Sequence, residues 1–103
     1  MEYKLSDREL SELCLFISVR EITRAFPSYT PSQRTIYRRL EKHGIKHPSE
    51  ARNNFRLRLL KSAPLSLSDK EAKALIEQEI QALFVELCAS IERRAQEYRG
   101  RFE

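Results

Sequence analysis

The strongest constraint on the fold is a helix-start signal that recurs along the chain. A Ser followed three positions later by Glu can form a capping box, in which each side chain binds a free backbone amide of the first turn. Three copies of this signal begin at Ser6, Ser18 and Ser68. A related start combines Thr30 as N-cap, Pro31 at the first helical position and Gln33 at the third. The sequence therefore predicts helices joined by short connections.

The predicted helices follow one another closely. The first begins after Ser6 and ends near Phe16, and the second covers residues 19–26 and ends at Pro27. The third begins at Pro31 and ends near residue 43, with Gly44 beyond its end. A fourth helix covers residues 48–61, and a long fifth helix begins after Ser68 and meets no Pro or Gly before residue 100. With 41% hydrophobic residues and only two glycines, the composition favours an all-α fold over a sandwich or barrel.

The apolar spacing gives the second and third helices one inward face each. Ile22, Ala25 and Phe26 form the predicted inward face of the second helix, and Ile36 and Leu40 that of the third. At about 100° per residue, side chains opposite Ile36 and Leu40 point away from the core. These two helices are therefore expected to pack together while the third keeps a polar face outward.

The basic residues are concentrated in the middle of the chain. Residues 20–61 carry eleven Lys and Arg against three Glu, whereas the segments on either side are each mildly acidic. A central basic block of this kind is a candidate footprint for nucleic acid. A solvated helical surface without any partner would have the same composition, so the charge alone leaves both interpretations open.

The stretch Ser18-Val19-Arg20-Glu21-Ile22, followed by Arg34-Thr35-Ile36-Tyr37-Arg38-Arg39-Leu40, resembles the helix-turn-helix of resolvase/invertase-type and related small bacterial and phage regulators. The resemblance covers residues 18–44. Its connector, residues 27–30, is about three residues longer than a tight turn needs. The resemblance implies that the third helix is a recognition helix that enters the major groove of double-stranded DNA.

Specific roles follow for the outward residues of the third helix. Arg34, Thr35 and Arg38 are placed to reach base edges. Tyr37, Arg39 and Lys42 suit contacts to phosphate, although Tyr37 would equally suit the edge of the core. The full set of predicted DNA-binding residues is Ser18, Arg20, Ser32, Gln33, Arg34, Thr35, Tyr37, Arg38, Arg39 and Lys42.

The fifth helix is apolar on most sides, which predicts that it is covered on most sides. Self-association is the simplest way to bury it, and the spacing favours a dimeric bundle over a zipper. The alternative is a core helix packed on the first and fourth helices of its own chain. The predicted oligomer interface is Ile76, Ile80, Leu83, Phe84, Leu87 and Ile91.

These inferences define the expected organisation and function. Residues 1–61 would form the helix-turn-helix bundle with an extra basic helix, residues 62–67 a linker and residues 68–103 a helical oligomerisation segment. The leading interpretation is a dimeric, sequence-specific transcriptional regulator. The alternatives are a DNA-recognition subunit of a larger machine, terminase-like or transposase-associated, and a helical protein-interaction module without DNA binding.

Several classes of function have no support in the sequence. No catalytic constellation, phosphate-binding glycine loop or metal-ligand spacing occurs, so neither an enzyme nor a cofactor or small-molecule ligand is expected. No apolar run approaches the roughly 20 residues of a membrane span, and no signal sequence is evident, which predicts a cytoplasmic protein. Cys14 and Cys88 are expected to be small buried side chains rather than a disulfide.

Overall fold

A computed structural model describes residues 3–101, and its secondary structure is entirely helical within that range. The five helices are α1 (Asp7–Leu13), α2 (Val19–Ala25), α3 (Gln33–Lys42), α4 (Pro48–Lys61) and α5 (Asp69–Gly100). The predicted all-α class with a long C-terminal helix is confirmed. At about 1.5 Å per residue, α5 is about 48 Å long, which accounts for most of the 53 Å long axis of the molecule.

The predicted caps form at the first two helices. The hydroxyls of Ser6 and Ser18 accept the amides of Glu9 and Glu21, and both Glu side chains accept the amide of their Ser in return. The cap at Ser68 also forms, but the carboxylate of Glu71 accepts the Ser68 hydroxyl instead of completing the box. Local sequence thus positions the start of α1, α2 and α5 correctly.

Two helix boundaries differ from the prediction. α1 ends at Leu13 rather than near Phe16, because the amides of Leu15 and Phe16 bind carbonyls three residues back and tighten the chain into turns. α3 begins at Gln33 rather than Pro31, because the N-cap is Ser32 and not Thr30. The Thr30 hydroxyl instead donates to the carbonyl of Phe26, 2.8 Å away, at the end of α2.

One core joins both ends of the chain. α3 packs against α1 and α2, while α5 packs against α1 and α4. Ile22, Ile36 and Leu40 are buried as predicted, whereas Ala25 is exposed, so the inward face of α2 is narrower than expected. The buried cluster comprises Leu5, Leu10, Leu13, Cys14, Val19, Ile22, Phe26, Ile36, Leu40 and Ile91.

Ile91, on the second half of α5, therefore lies in the same core as α1–α3. The segment at residues 62–67 separates α4 from α5 along the chain, but it does not separate two cores. α4 has no fully buried residue. It packs against α5, and two side chains attach it to the segment that ends α1: the ring centroid of Phe55 lies 5.5 Å from that of Phe16, and Arg52 donates to the carbonyl of Cys14. Cys14 and Cys88 are both free thiols, and burial raises the pKa of each.

Candidate nucleic-acid interface

The outer face of α3 is the most exposed basic surface among the predicted site residues. Arg34, Arg38 and Lys42 are exposed, and the Tyr37 side chain is 48% exposed. Within residues 3–101 none of these four side chains makes a hydrogen bond or an ion pair. Ile36 and Leu40, on the opposite side of the same helix, are fully buried. α3 is thus anchored by its apolar face and presents to solvent three cationic groups, a phenol and the carboxylate of Glu41.

The start of α3 has a different character. The Ser32 hydroxyl accepts the amide of Thr35 at 3.3 Å and lies 3.0 Å from the Thr35 hydroxyl. Both hydroxyls are therefore engaged in capping, and Thr35 is only partly exposed. Gln33 is exposed at the first position of the helix, next to Arg34.

Of the two predicted residues at the start of α2, one caps the helix and the other is exposed. Ser18 is the N-cap, and its interactions with Glu21 lower the pKa of that carboxyl, with the backbone amide contributing most. Arg20 is exposed, and its side chain makes no hydrogen bond or ion pair with the described part of the chain. Ser18 thus serves local structure, while the Arg20 guanidinium is available to a partner.

Arg39 differs from the other cations of α3. Its guanidinium donates to the carboxylate of Asp7 on α1 and to the carbonyl of Leu5, 3.0 Å away. The imidazole of His43 lies 3.0 Å from the other oxygen of Asp7. Arg39, followed by His43, lowers the pKa of Asp7. Arg39 therefore holds α3 against α1 and is half-buried, in contrast to Arg34 and Arg38.

A basic cleft beside α3 was not predicted from the sequence. It has a volume of about 230 Å³, and its polar lining is formed by Ser18, Tyr37, Lys46, His47, Ser49 and Arg52. Arg52 is partly fixed there because its guanidinium donates to the carbonyl of Cys14 at 3.4 Å. A local signal existed: Pro48 at the start of a helix places Lys46 and His47 just before the first turn and Arg52 just after it.

A larger cleft of about 420 Å³ lies at the connector between α2 and α3, and none of the predicted DNA-binding residues lines it. Its polar groups bind one another. Arg99 donates to the hydroxyl of Tyr29 at 2.5 Å, and that hydroxyl lies 3.5 Å from the Glu92 carboxylate. The cation in this cleft is therefore already engaged, unlike those of α3.

The predicted oligomer residues are mostly covered by their own chain. Ile76, Ile80 and Ile91 are buried, and Phe84 and Leu87 pack against the core. Leu83 alone of the six is exposed, at 42%. The exposed large apolar side chains of α5 are Leu75, Leu83 and Val85.

No protein-family model, curated protein or solved structure matches the chain. The resemblance to a helix-turn-helix therefore stays a prediction. Within the described residues, no helix is both long and apolar enough to cross a bilayer, and no three His, Cys, Asp or Glu side chains gather in a metal-binding arrangement.

Proposed function

We propose that this protein binds double-stranded DNA through the outer face of α3. The observation that carries the proposal is the set of exposed side chains of Arg34, Tyr37, Arg38 and Lys42, which have no partner within the described chain. Several other cations are neutralised internally. Arg39 binds Asp7, Arg56 binds Glu77 and Arg94 binds Glu9. A helix face whose cations stay unpaired is suited to the negative potential of a DNA groove.

The outer face of α3 suggests a division of roles. Arg34 and Arg38 are one turn apart, and each can donate two hydrogen bonds to a guanine edge. Lys42 near the end of α3 and Arg20 on α2 suit contacts to phosphate, which set orientation without reading sequence. Arg39 is left out of this proposed interface because its guanidinium already binds Asp7 and Leu5.

The proposed acting form is a homodimeric regulator in the cytoplasm. The support for a dimer is the pair of exposed leucines Leu75 and Leu83 on α5, which are 40% and 42% exposed. Val85 is also exposed, but at about 100° per residue it lies on nearly the opposite side of the helix from Leu83. Exposed leucines on a long helix favour a second copy as cover. Two copies would present two α3 helices to two half-sites, which fits a palindromic operator.

The first experiment selects bound duplexes from a random pool and then compares variants in competition titrations. We expect Arg34→Ala and Arg38→Ala to reduce discrimination between the selected duplex and a random one by about 1–3 kcal/mol per lost base contact. Arg93→Ala on α5 is the matched control, because it removes an exposed Arg whose one side-chain hydrogen bond within residues 3–101 is to Ser90. Lys42→Ala should weaken both duplexes equally.

Two outcomes would count against the proposal. If the wild-type protein binds no duplex even at low salt, DNA binding is refuted and an acidic protein becomes the better candidate partner for the basic face. If Arg34→Ala and Arg38→Ala weaken both duplexes to the same extent, α3 contacts only phosphate and the assignment of base contacts is wrong.

A further inference from the structure

We infer that the cleft between α2, α3 and the start of α4 binds a phosphate of the DNA backbone. This inference rests on the proposed DNA binding and extends it to residues outside the predicted set. The cleft brings together basic groups from Lys46, His47 and Arg52 with hydroxyls from Ser18, Tyr37 and Ser49. Cationic groups and hydroxyl donors around a shared space are the groups that bind phosphate oxygens in protein–DNA complexes.

The electrostatics of the cleft favour an anion. No Asp or Glu of the described chain is among its lining residues. Two carboxylates lie close to this cleft: attraction from Arg52 contributes to the lowering of the pKa of Glu21, and Glu50 lines the neighbouring cleft together with Lys46 and His47. The Glu21 carboxylate accepts the amide of Ser18 in the capping box and so is engaged in holding the start of α2. Lys46 makes no side-chain ion pair among residues 3–101 and keeps its charge available.

The geometry of the cleft also suits a guanidinium contact. Arg52 donates one N–H to the carbonyl of Cys14, which orients its side chain and leaves other donors for a ligand. Arg52 is half-buried on α4, so its position is more fixed than that of an exposed surface Arg. An oriented Arg loses less freedom on binding than a mobile one, because its fork of donors is already arranged.

The position of the cleft connects it to the outer face of α3. Tyr37 belongs to both, because it is exposed on α3 and also lines the cleft. When a helix occupies the major groove, a phosphate strand borders the groove on each side. A cleft that shares a residue with the groove-facing side of α3 is therefore placed to meet one of those strands. We assign Lys46 and Arg52 as its charged contacts.

The test measures DNA affinity against salt concentration for wild type, Lys46→Gln, and Lys46→Gln with Arg52→Gln. Each phosphate contact contributes about −0.9 to the slope of log affinity against log salt. A variant that loses one contact should therefore lose about 3.5-fold less DNA affinity than wild type when the salt is raised from about 50 to about 200 mM. The matched control is Lys70→Gln with Arg93→Gln, which removes the same charge from α5. Lys46→Gln alone serves as the variant least prone to misfolding, because the exposed Lys46 side chain makes no hydrogen bond or ion pair within residues 3–101.

A second measurement identifies the ligand as a backbone phosphate rather than free phosphate. Selected duplexes carry one neutral methylphosphonate at successive positions. At one position the neutral group should weaken wild-type binding by about the same factor as the combined change Lys46→Gln with Arg52→Gln, and it should have no further effect on that double variant. Inorganic phosphate at millimolar concentration should leave the wild-type affinity unchanged beyond its effect on ionic strength.

The outcomes separate this inference from the proposed function. If the cleft variants keep the wild-type slope while Arg34→Ala and Arg38→Ala lose discrimination, the cleft holds no phosphate and DNA binding stands. If wild type binds no duplex, both are overturned. If no methylphosphonate position distinguishes wild type from Lys46→Gln with Arg52→Gln, the cleft contacts no backbone phosphate and the assignment to DNA is wrong.

Discussion

At the scale of single residues, two carboxylates of α1 hold distant parts of the chain. Glu9 is 1% exposed, and its oxygens accept the Tyr3 hydroxyl at 2.6 Å, the Ser6 amide at 2.8 Å and the Arg94 guanidinium at 2.8 Å. A buried charge is tolerated only when it is paired and hydrogen-bonded in this way. Burial and the bond to Glu9 raise the pKa of Tyr3 to about 12. Glu9 therefore joins the segment before α1, the start of α1 and the second half of α5.

Asp7 gives a testable dependence of stability on pH. Its pKa is lowered below the ordinary 3.8 by Arg39 and then His43. A lowered pKa means that the folded state favours the charged form. The stabilisation is therefore fully present above the ordinary pKa of 3.8, which applies to the unfolded chain, and it is lost as the pH falls through the lowered pKa of the folded state. We expect Asp7→Asn to be less stable than wild type near neutral pH, with the difference in melting temperature shrinking at low pH.

The measurement for Asp7 is thermal unfolding followed by circular dichroism from about pH 7 to about pH 3. Asp69→Asn is the control, because Asp69 is an exposed Asp in a first helical turn with no ion-pair partner in the described chain. A constant difference between wild type and Asp7→Asn at every pH would show that the ion pair does not stabilise the native state.

At the scale of elements, the turn after α3 fixes where the basic helix stops. Gly44 has a φ of +82°, and no atom lies within 4 Å of the position that a Cβ would occupy. The amides of Gly44 and Ile45 bind the carbonyls of Glu41 and Leu40, which closes a Schellman motif. The left-handed backbone, and not crowding, is therefore the reason for glycine at this position.

We expect Gly44→Ala to lower the free energy of unfolding by about 1–2 kcal/mol, the cost of a side chain in the left-handed region. Gly100→Ala is the matched control. Gly100 is helical, and a Cβ there would also meet open space, so this change should be neutral or slightly stabilising. Urea unfolding of both variants measures the two effects. Equal stability of Gly44→Ala and wild type would mean that the turn rearranges at no cost.

The helix boundaries indicate which features of the fold are encoded locally. The starts of α1, α2, α4 and α5 were predictable because each depends on residues within one turn of the start. The start of α3 was not, because Thr30 and Ser32 are both competent caps and the choice depends on a hydrogen bond from Thr30 back to Phe26. The two competing caps are resolved by a contact to the end of the preceding helix, which the cap pattern of α3 itself does not contain.

The same distinction applies to the candidate site. The exposed face of α3 follows from helical periodicity around Ile36 and Leu40, so Arg34 and Arg38 were identified from sequence. The pairing of Arg39 with Asp7 spans 32 positions, and no local pattern specifies it. One signal was present, since Arg39 follows the buried Ile36 by three positions and so lies at the edge of the buried face.

At the scale of the whole molecule, one side of α5 packs against its own chain and another side carries exposed apolar side chains. Ile76, Ile80 and Ile91 face their own chain, whereas Leu75 and Leu83 lie two turns apart and remain exposed. Much of the apolar character of α5, which the sequence attributed mainly to self-association, is thus explained by packing within its own chain. A test of the proposed dimer must use only the exposed positions.

We expect Leu75→Asp with Leu83→Asp to convert the proposed dimer to a monomer without loss of helicity, because both side chains lie outside the core. Light scattering coupled to size exclusion measures the mass, and circular dichroism measures the fold. Leu65→Asp is the control, since Leu65 is fully exposed in the segment between α4 and α5. A monomeric wild type would contradict the dimer, and a ring-like mass would favour a DNA-recognition subunit of a larger machine.

The bond between Glu9 and Arg94 joins positions 85 residues apart. Contacts at such separation close a long loop, and the entropy of closure must be overcome before they contribute any stability. The contacts among α1, α2 and α3 span far shorter stretches of chain. We therefore expect α1–α3 to assemble early during folding and the second half of α5 to dock late. Until it docks, the core face that Ile91 covers in the native protein is open to solvent.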